Sequence, residues 1–358
     1  MSQRPRIDAR TNTAARARGS IKVVVWDLDE TLWHGVLLED AGVSLRAHAA
    51  ETVRALDARG ILQSVASRND HDTAMAKLRE LGLAEFFLYP QILWGSKSAA
   101  VERVRAALNV GMDSVAFADD QPFERDEVAH THPGVLCLDA ADIAGIASMP
   151  EMTPAFITED SAMRRHMYMA DAERDRVLAA HEGPTEEFLA TLGMRFTIAP
   201  CRQADLQRAE ELTVRTNQLN TTGVTYSYHE LDALRCSEDH LLLVASLEDR
   251  YGSYGRIGLA LVEKGTAAWT LKLLLMSCRV MSRGVGAILL HHLMRRARDE
   301  GVAFSAEFRH NGRNRMMFVT YRLGGFRETG EQDGLVTLDH RLSSISPDPD
   351  YVDVQELP

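Results

Sequence analysis

The sequence predicts an α/β protein in two parts: a parallel sheet with helices on both faces, followed by a second α/β domain. Short apolar runs typical of buried strands alternate with amphipathic helical segments over roughly residues 20–145. Strands and helices that alternate in this way form parallel sheets. The chain of 358 residues is also long enough for two domains of common size.

In the first half, each element is predicted from a local pattern. We expect strands at 21–26, 61–66, 114–118 and 134–138, and helices at 47–59, 71–81 and 98–108. Gly60 and Gly82 follow the first two helices, as glycine commonly does at a helix C-terminus. We place this domain at 20–148, after a basic arm at 1–19 that we expect to be disordered.

The pattern changes in the second half. A charged helical stretch with prolines at 149–187 is predicted to link the two domains. The second domain is placed at 188–342, with strands at 195–198, 240–246, 257–262 and 268–274 and helices at 203–216 and 286–300. The last residues, 343–358, are acidic and proline-rich, and we expect them to form a tail.

Composition narrows the classes of function. The net charge of −11 disfavours bulk binding to nucleic acid or to an anionic membrane. No run approaches the roughly 18 consecutive apolar residues of a membrane span. Because the cysteines form no CxxC pair, we expect no disulfide framework and no zinc site, and a cytoplasmic protein. The cysteines are Cys137, Cys201, Cys236 and Cys278.

Two pairs of aspartates follow predicted strands. Asp27 and Asp29 come directly after the first strand, and Asp119 and Asp120 come after the strand at 114–118. Ligands of parallel sheets bind beyond the carboxyl ends of the strands. Carboxylates gathered there are suited to Mg²⁺, and one of them could attack phosphorus while another exchanges a proton. The alternative is that these aspartates only form turns.

Two further residues complete a predicted phosphate site. Ser67 follows a third strand and could hold a phosphate oxygen, and Lys97 precedes a helix and could neutralise phosphate charge. The segment 27–31, DLDET, resembles the first motif of the haloacid dehalogenase (HAD) phosphatase superfamily. That resemblance implies Asp27 as nucleophile and Asp29 as general acid/base. It further implies phosphate binding by Thr31, Ser67, Arg68, Asn69 and Lys97, and Mg²⁺ binding by Asp27, Asp29, Asp119 and Asp120.

The lengths of two segments indicate how open this site is. The segments 32–46 and 68–96 are too short to contain an inserted cap domain once their helices are counted. We therefore expect a HAD-like domain without a large cap. An open site of this kind suits a bulky substrate or one delivered by another domain.

The second half holds an Arg- and Gly-rich turn that follows a strand and opens a helix, at 278–295. Backbone N–H groups at such a helix start can hold a pyrophosphate. The segment 281–286, MSRGVG, with Asn314 and Tyr321 downstream, resembles the GNAT acyltransferase fold. Cys278 stands beside Arg279 and Arg283, and positive charge lowers the pKa of a thiol. Its alternative role is that of a buried structural cysteine.

Both halves together resemble one family, the FkbH-like proteins of HAD subfamily IIIC. The resemblance rests on VWDLDETLW at 25–33, ASRND at 66–70, DDQPFER at 119–125, RTNQLN at 215–220, DRYG at 249–252 and MSCRV at 276–280. It implies a glyceryltransferase/phosphatase of polyketide-type biosynthesis. Such an enzyme takes a D-glyceryl unit from 1,3-bisphosphoglycerate, through a Cys278 thioester, onto the phosphopantetheine thiol of an acyl carrier protein. The implied acyl- and carrier-binding residues are Arg215, Asn217, Asn220, Arg279, Arg283, Gly284, Gly286 and Asn314.

Two other functions stay open. The chain could be a Mg²⁺ phosphatase whose GNAT-like half only docks a partner, or an acyltransferase that uses coenzyme A. Cys278 favours the glyceryltransferase, because a docking module needs no thiol there. Met281 disfavours the coenzyme A enzyme, because the GNAT turn usually has Gln or Arg at that position. For Asn217 and Asn220 the alternative role is turn formation or helix capping.

Overall fold

The computed structural model describes residues 21–216 and 219–358, apart from the side chains of Cys278 and Ser282. The basic arm predicted at 1–19 and the predicted ligand Asn217 therefore lie outside the described residues. The described chain divides into two compact units, with the boundary between Tyr168 and Met169. None of the helices in the described ranges is long and apolar enough to cross a membrane.

The first unit contains a five-stranded parallel sheet in the order β5-β4-β1-β6-β7, with a short β2–β3 hairpin beside it. Its strands are β1 (Val23–Trp26), β2 (Trp33–His34), β3 (Ser44–Leu45), β4 (Leu62–Ser67), β5 (Gln91–Ile92), β6 (Val115–Asp119) and β7 (Leu136–Asp139). Its helices are α1 (Ala49–Ala58), α2 (His71–Glu80), α3 (Lys97–Leu108), α4 (Pro122–Thr131), α5 (Ile143–Ile146) and α6 (Glu159–Ala162). Helix α7 (Arg164–Ala179) crosses the boundary between the units.

Strand β1 shows why the sheet is covered on both faces. All four of its side chains are apolar and buried. Val24 and Trp26 pack in the apolar cluster that includes α1 and α2. Val23 and Val25 point the other way, into the cluster that includes α3 and α4. An apolar run without alternation is what a strand with two covered faces requires.

Helix starts position the residues at the carboxyl edge of this sheet. The Ser96 side chain accepts a hydrogen bond from the Ala99 N–H and so caps α3, which makes Lys97 the first helical residue. Pro122 begins α4 two residues after Asp120, at a position where its missing N–H costs nothing. In the described first unit, only the β2–β3 hairpin is inserted between β1 and α1. Between β4 and α3, the described segment 68–96 contains α2, a short helical turn at Ala84–Phe86 and β5. The absence of a large cap, predicted from the lengths of both segments, is therefore confirmed.

The second unit is built on an eight-stranded sheet in the order β13-β14-β12-β11-β10-β9-β8-β15. Neighbouring strands are antiparallel except for the β11–β12 and β8–β15 pairs. The strands are β8 (Met194–Pro200), β9 (His240–Asp249), β10 (Gly252–Lys264), β11 (Ala268–Met276), β12 (Ala303–Arg309), β13 (Arg327–Gln332), β14 (Leu335–His340) and β15 (Val352–Glu356). The helices are α8 (Thr185–Thr191), α9 (Leu206–Arg215), α10 (Tyr228–Cys236), α11 (Ile288–Asp299) and α12 (Arg315–Leu323).

Helices cover both faces of this sheet. Residues of α11 and α12 pack in one apolar cluster, and residues of α9 and α10 pack in another. The α/β fold class predicted from the sequence, with a parallel sheet followed by a second α/β unit, is confirmed.

Two segments differ from the sequence prediction. The segment 343–358, expected to be an acidic tail, contains β15, which pairs in parallel with β8. Val352 is buried and Val354 is partly buried against the core, so alternation of valine with polar residues makes this an edge strand. The predicted linker at 149–187 contains α6, α7 and the start of α8, and the unit boundary falls inside α7.

Candidate functional site

Three carboxylates meet at the carboxyl edge of the parallel sheet. Asp27 follows β1, Asp119 ends β6, and Asp120 comes next. Because β1 and β6 are neighbours in the sheet, one oxygen of each carboxylate lies within 4.8 Å of the other two. Asp27 and Asp119 are buried, and Asp120 is half-buried.

Lys97 supplies a positive charge inside this group. Its Nζ donates hydrogen bonds to Asp27 Oδ1 and, at 2.8 Å, to the carbonyl oxygen of Ala66. It also lies 3.3 Å from Asp119 Oδ2. The lysine side chain is buried, and a buried ammonium group needs paired partners of this kind.

The pKa values of Asp119 and Asp120 indicate that the single positive charge of Lys97 does not neutralise the negative charge of the three carboxylates. Burial, and to a lesser degree the charge of Asp27, raise the pKa of Asp119 to about 7, although Lys97 opposes the shift. Burial also raises the pKa of Asp120, with a contribution from Asp27. Asp119 Oδ2 is buried and accepts no hydrogen bond. A divalent cation bound to these carboxylate oxygens would offset the repulsion that raises the pKa values, and it would give Asp119 Oδ2 a partner. The residues present therefore fit Mg²⁺.

Asp29 occupies a different position from the other three aspartates. Its Oδ1 accepts hydrogen bonds from Trp33 Nε1 at 2.8 Å and from the Leu37 N–H at 3.0 Å. Its Oδ2 accepts one from Asn69 Nδ2 at 2.9 Å. The sequence resemblance implied that Asp29 binds the metal, but its side chain lies outside the group formed by Asp27, Asp119 and Asp120. Burial raises its pKa in spite of these donors, which suits a group that exchanges protons.

The predicted phosphate-binding residues lie around the same edge. Thr31 is buried and donates to Asp120 Oδ1 at 3.3 Å. Ser67 is the buried last residue of β4, the strand beside β1. Arg68 differs, because its guanidinium donates to Glu124 Oε1 at 2.6 Å and to the carbonyl oxygen of Gly95 at 2.9 Å.

One contributing residue was not predicted from the sequence. Arg125 donates to the carbonyl oxygens of Asp119 and Asp120, at 2.7 and 2.9 Å, and to Asp139 Oδ2 at 2.7 Å. It therefore fixes the backbone that carries the second aspartate pair. Its place in the first turn of a helix that starts just after that pair was the available signal.

In the second unit, the glycine turn has the expected location. A short helical turn at Cys278–Arg283 is followed by Gly284, whose φ is +71°, and α11 begins soon afterwards. A Cβ at Gly284 would clash with the Tyr351 hydroxyl, whereas one at Gly286 would meet nothing within 4 Å. The C-terminal segment thus lies against this turn. The side chain of Cys278 lies outside the described residues.

Asn220 and Asn314 are buried and hold the backbone between α9 and α10 in place. Asn220 Oδ1 accepts from the N–H groups of Thr222 and Gly223, and its Nδ2 donates to the Val224 carbonyl. Asn314 Nδ2 donates to the carbonyl oxygens of Asn220, Thr221 and Arg309. Its Oδ1 accepts a hydrogen bond from the N–H of Asn311. These contacts match turn formation, the alternative role considered for Asn220.

The predicted binding arginines of the second unit differ in their contacts with carboxylates and carbonyl oxygens. Arg215 lies 3.1 Å from Glu211, and Arg279 donates to the Tyr254 carbonyl oxygen at 2.6 Å. Arg283 is buried with one carboxylate, that of Asp175, at the long distance of 3.9 Å. Burial raises the pKa of Asp171, and nearby arginines, Arg279, Arg174 and Arg283, oppose the shift. The turn after β11 is therefore rich in positive charge.

Comparisons with known proteins find similarity in solved structures. No family model matches the sequence, and no curated protein matches it. The N-terminal part of a Bacteroides fragilis protein, containing a phosphatase domain complexed with Mg, is 29% identical with a TM-score of 0.31. That match covers 36% of this chain and 39% of the other, so the chain spans less than half of that protein's length.

Two acetyltransferases of known structure are also similar to part of the chain. A ribosomal-protein-alanine N-acetyltransferase from Escherichia coli is 20% identical over 42% of this chain and 96% of its own, with a TM-score of 0.34. The PaiA N-acetyltransferase from Thermoplasma acidophilum, in complex with coenzyme A, is 15% identical over 40% and 97%, with a TM-score of 0.33.

Proposed function

We propose that the first unit is a HAD-type, Mg²⁺-dependent phosphatase with Asp27 as its nucleophile. The observation that carries this proposal is the group of Asp27, Asp119 and Asp120 around Lys97 at the carboxyl edge of a parallel sheet. A site that combines buried carboxylates with one ammonium group suits a phosphate and a divalent cation bound together.

The proposed hydrolysis proceeds in two displacements. A carboxylate oxygen of Asp27 attacks phosphorus, and the bond from phosphorus to the alcohol oxygen breaks. Asp29 gives its proton to that oxygen, which leaves as the alcohol. Water then attacks the aspartyl phosphate while Asp29 takes a proton from it, which releases inorganic phosphate and restores both carboxyl groups. The raised pKa of Asp29 supports its role as the acid.

The remaining groups would bind and orient the phosphate. Asp27, Asp119 and Asp120 would hold Mg²⁺, which would neutralise charge on the phosphate oxygens. Lys97 adds a second positive charge beside the nucleophile, and Thr31 and Ser67 offer hydroxyl donors at the same edge. Arg125 keeps the backbone of Asp119 and Asp120 in place.

For the second unit we propose transfer of a D-glyceryl unit from 1,3-bisphosphoglycerate to the phosphopantetheine thiol of an acyl carrier protein. The Cys278 thiolate attacks the carbonyl carbon of the acyl phosphate, the bond to the phosphate oxygen breaks, and phosphate leaves. The carrier thiol then displaces Cys278 by thioester exchange. The positive charge of Arg279 and Arg283 supports formation of the thiolate. The phosphate ester left on the acyl unit is inert in water, which would explain a phosphatase in the same chain.

A second candidate function is a Mg²⁺ phosphatase whose second unit only binds a partner. Its support is that Asn220 and Asn314, both implied to bind substrate, use their side-chain polar atoms on backbone groups. Arg215 likewise contacts Glu211. In that case Cys278 would carry no acyl unit, and the two candidates differ in this respect.

The phosphatase proposal is tested with Asp27→Asn, a nearly isosteric change at the end of a buried strand. Phosphate release from 3-phosphoglycerate and from a phosphoglyceryl pantetheine thioester should be abolished, with the circular dichroism spectrum unchanged. Asp126→Asn, at an exposed position of α4, is the matched control and should keep the wild-type rate. Phosphate release by Asp27→Asn at the wild-type rate would rule out the proposed nucleophile.

A further inference from the structure

Hydrogen-bond donors hold both oxygens of the Asp29 carboxylate. Oδ1 accepts from Trp33 Nε1 at 2.8 Å and from the Leu37 N–H at 3.0 Å. Oδ2 accepts from Asn69 Nδ2 at 2.9 Å. An ionised carboxylate offers about two acceptor sites on each oxygen. Both sites of Oδ1 are therefore in use, and Oδ2 is the oxygen that keeps a site for a proton.

The Trp33 side chain is held firmly in its place. It is fully buried and packs in the apolar cluster that includes α1 and α2. Its backbone pairs with Leu45 in the β2–β3 hairpin. An indole N–H can only donate, and a buried donor without an acceptor is costly. The Trp33 N–H therefore keeps Oδ1 of Asp29 in one position.

The Asn69 amide is also oriented by its surroundings. Asn69 is buried, and its Oδ1 accepts from the Asp70 N–H at 3.1 Å. Asp70 in turn caps α2, because its side chain accepts from the Thr73 N–H. With its Oδ1 fixed in this way, Asn69 directs Nδ2 to Asp29. The resemblance implied that Asn69 binds phosphate, but its side-chain amide donates to a carboxylate.

These donors matter because the end group of an aspartate rotates easily. Its terminal torsion is broad, with no single preferred angle. An Asp29 carboxyl group without the donors would direct its proton over a wide range of angles. A general acid contributes only when it lies within hydrogen-bond reach of the atom that it protonates. The donors therefore affect proton transfer rather than the binding of phosphate.

We propose that Trp33 and Asn69 are positioning residues, which hold Asp29 so that Oδ2 gives its proton to the leaving alcohol. This rests on the phosphatase function proposed above. As the bond from phosphorus to the alcohol oxygen breaks, the O–H bond at Oδ2 breaks and the proton passes to that oxygen. Hydrogen bonds to a charged acceptor are stronger than those to a neutral one. The donors thus stabilise the Asp29 carboxylate that forms in this step.

The test compares kcat/KM for propyl phosphate with kcat/KM for p-nitrophenyl phosphate. Propanol has to receive a proton as it leaves, whereas p-nitrophenolate leaves without one. The variant Trp33→Phe keeps an aromatic ring and removes the N–H donor. For propyl phosphate we expect kcat/KM to fall about tenfold, which is part of the roughly 100- to 10,000-fold that a general acid contributes. For p-nitrophenyl phosphate kcat/KM should stay close to the wild-type value.

Trp26→Phe is the matched control. Trp26 is also fully buried in the first unit, and its Nε1 donates to Gln63 Oε1 at 3.1 Å. The control therefore loses the same ring atoms and one buried hydrogen bond, and any loss should be equal for the two esters. Asn69→Ala is a second variant, which should again lose activity mainly on propyl phosphate. Loss of a phosphate-binding residue would instead lower kcat/KM for both esters.

Each contrary result has its own meaning. A wild type that hydrolyses neither ester overturns the phosphatase function and this inference together. A wild type that hydrolyses only p-nitrophenyl phosphate overturns the inference alone, because no acid then assists the leaving alcohol. Equal losses on both esters, or no loss, in a variant with an unchanged circular dichroism spectrum would also overturn the inference alone. If Trp33→Phe does not fold, Asn69→Ala decides.

Discussion

The ammonium group of Lys97 lies 3.3 Å from Oδ2 of Asp119, although that oxygen accepts no hydrogen bond. The same ammonium donates to Asp27 on the neighbouring strand end. One positive charge therefore serves two buried carboxylates that repel each other. Removing it leaves like charges in a low-dielectric environment, where their repulsion is strong.

We therefore expect Lys97→Met to lose at least about 100-fold in the rate of phosphate ester hydrolysis. The loss follows because the phosphate would approach two uncompensated carboxylates. Phosphate release at saturating Mg²⁺ measures it. Lys77→Met on α2, where the lysine pairs with the exposed Glu80, is the control and should keep its rate. Equal rates for the two variants would remove Lys97 from the site.

Mg²⁺ should stabilise the folded protein as well as support hydrolysis. Binding to the native state alone raises the free energy of unfolding by about 2.7 kcal/mol when the ion is 100-fold above its dissociation constant. We expect a higher midpoint of thermal unfolding with Mg²⁺, and loss of both this shift and the activity with EDTA. Asp119→Asn should abolish the shift, and Asp126→Asn should retain it. An equal shift in Asp119→Asn would place the ion elsewhere.

Local patterns predicted the first site, because its residues follow strands whose apolar sequences are unmistakable. Asp27 and Asp119 are 92 positions apart in sequence, yet parallel neighbouring strands end at the same edge, so their meeting followed from order alone. Lys97 was assigned to the same site from its place before a helix, but its contact with Asp27 was not predicted. Arg125 was missed because the partners by which it reaches the site are the backbone oxygens of Asp119 and Asp120, which no side-chain pattern reveals.

The second unit was harder to predict for physical reasons. Every residue of β13 is exposed, so the strand has no apolar alternation by which it could be recognised. The network of Asn314 with Asn220 joins residues 94 positions apart. Asparagine is favoured in turns, and the same donor and acceptor atoms can bind a ligand. Sequence alone therefore could not decide between binding and turn formation.

Stability should fall with acid because of His292. Burial on α11 lowers the pKa of His292, and the nearby Glu356 only partly offsets this. Below about pH 6.5 the unfolded chain takes up a proton that the folded protein resists, so the free energy of unfolding decreases as pH falls. The slope contributed is at most about 1.4 kcal/mol per pH unit.

Urea unfolding between about pH 7.5 and about pH 5.5 measures this slope, because that interval spans the usual histidine pKa of about 6.5. His292→Gln should flatten the dependence of the free energy of unfolding on pH. His130→Gln, at an exposed position of α4, should leave it as in the wild type. If His292→Gln keeps the full slope, other groups account for the acid sensitivity.

The decisive variant for the second unit is Cys278→Ala. If this thiol carries the acyl unit, mass spectrometry after incubation with 1,3-bisphosphoglycerate should find an adduct on the wild type and none on the variant. The variant should also fail to load the carrier protein while it still hydrolyses a simple phosphate ester, because the two proposed sites share no residue. Loading by the wild type should decline at low pH as the thiolate is protonated.

Two other cysteines make matched controls for this variant. Cys236 is exposed, and Cys236→Ala should keep both adduct and loading. Burial raises the pKa of Cys201 to about 12, so that thiol stays protonated and should not react. If Cys278→Ala still loads the carrier, the acyl phosphate must transfer directly to the pantetheine thiol. Cys278 would then be a structural residue, and the second unit would act by binding the carrier beside the turn at Gly284.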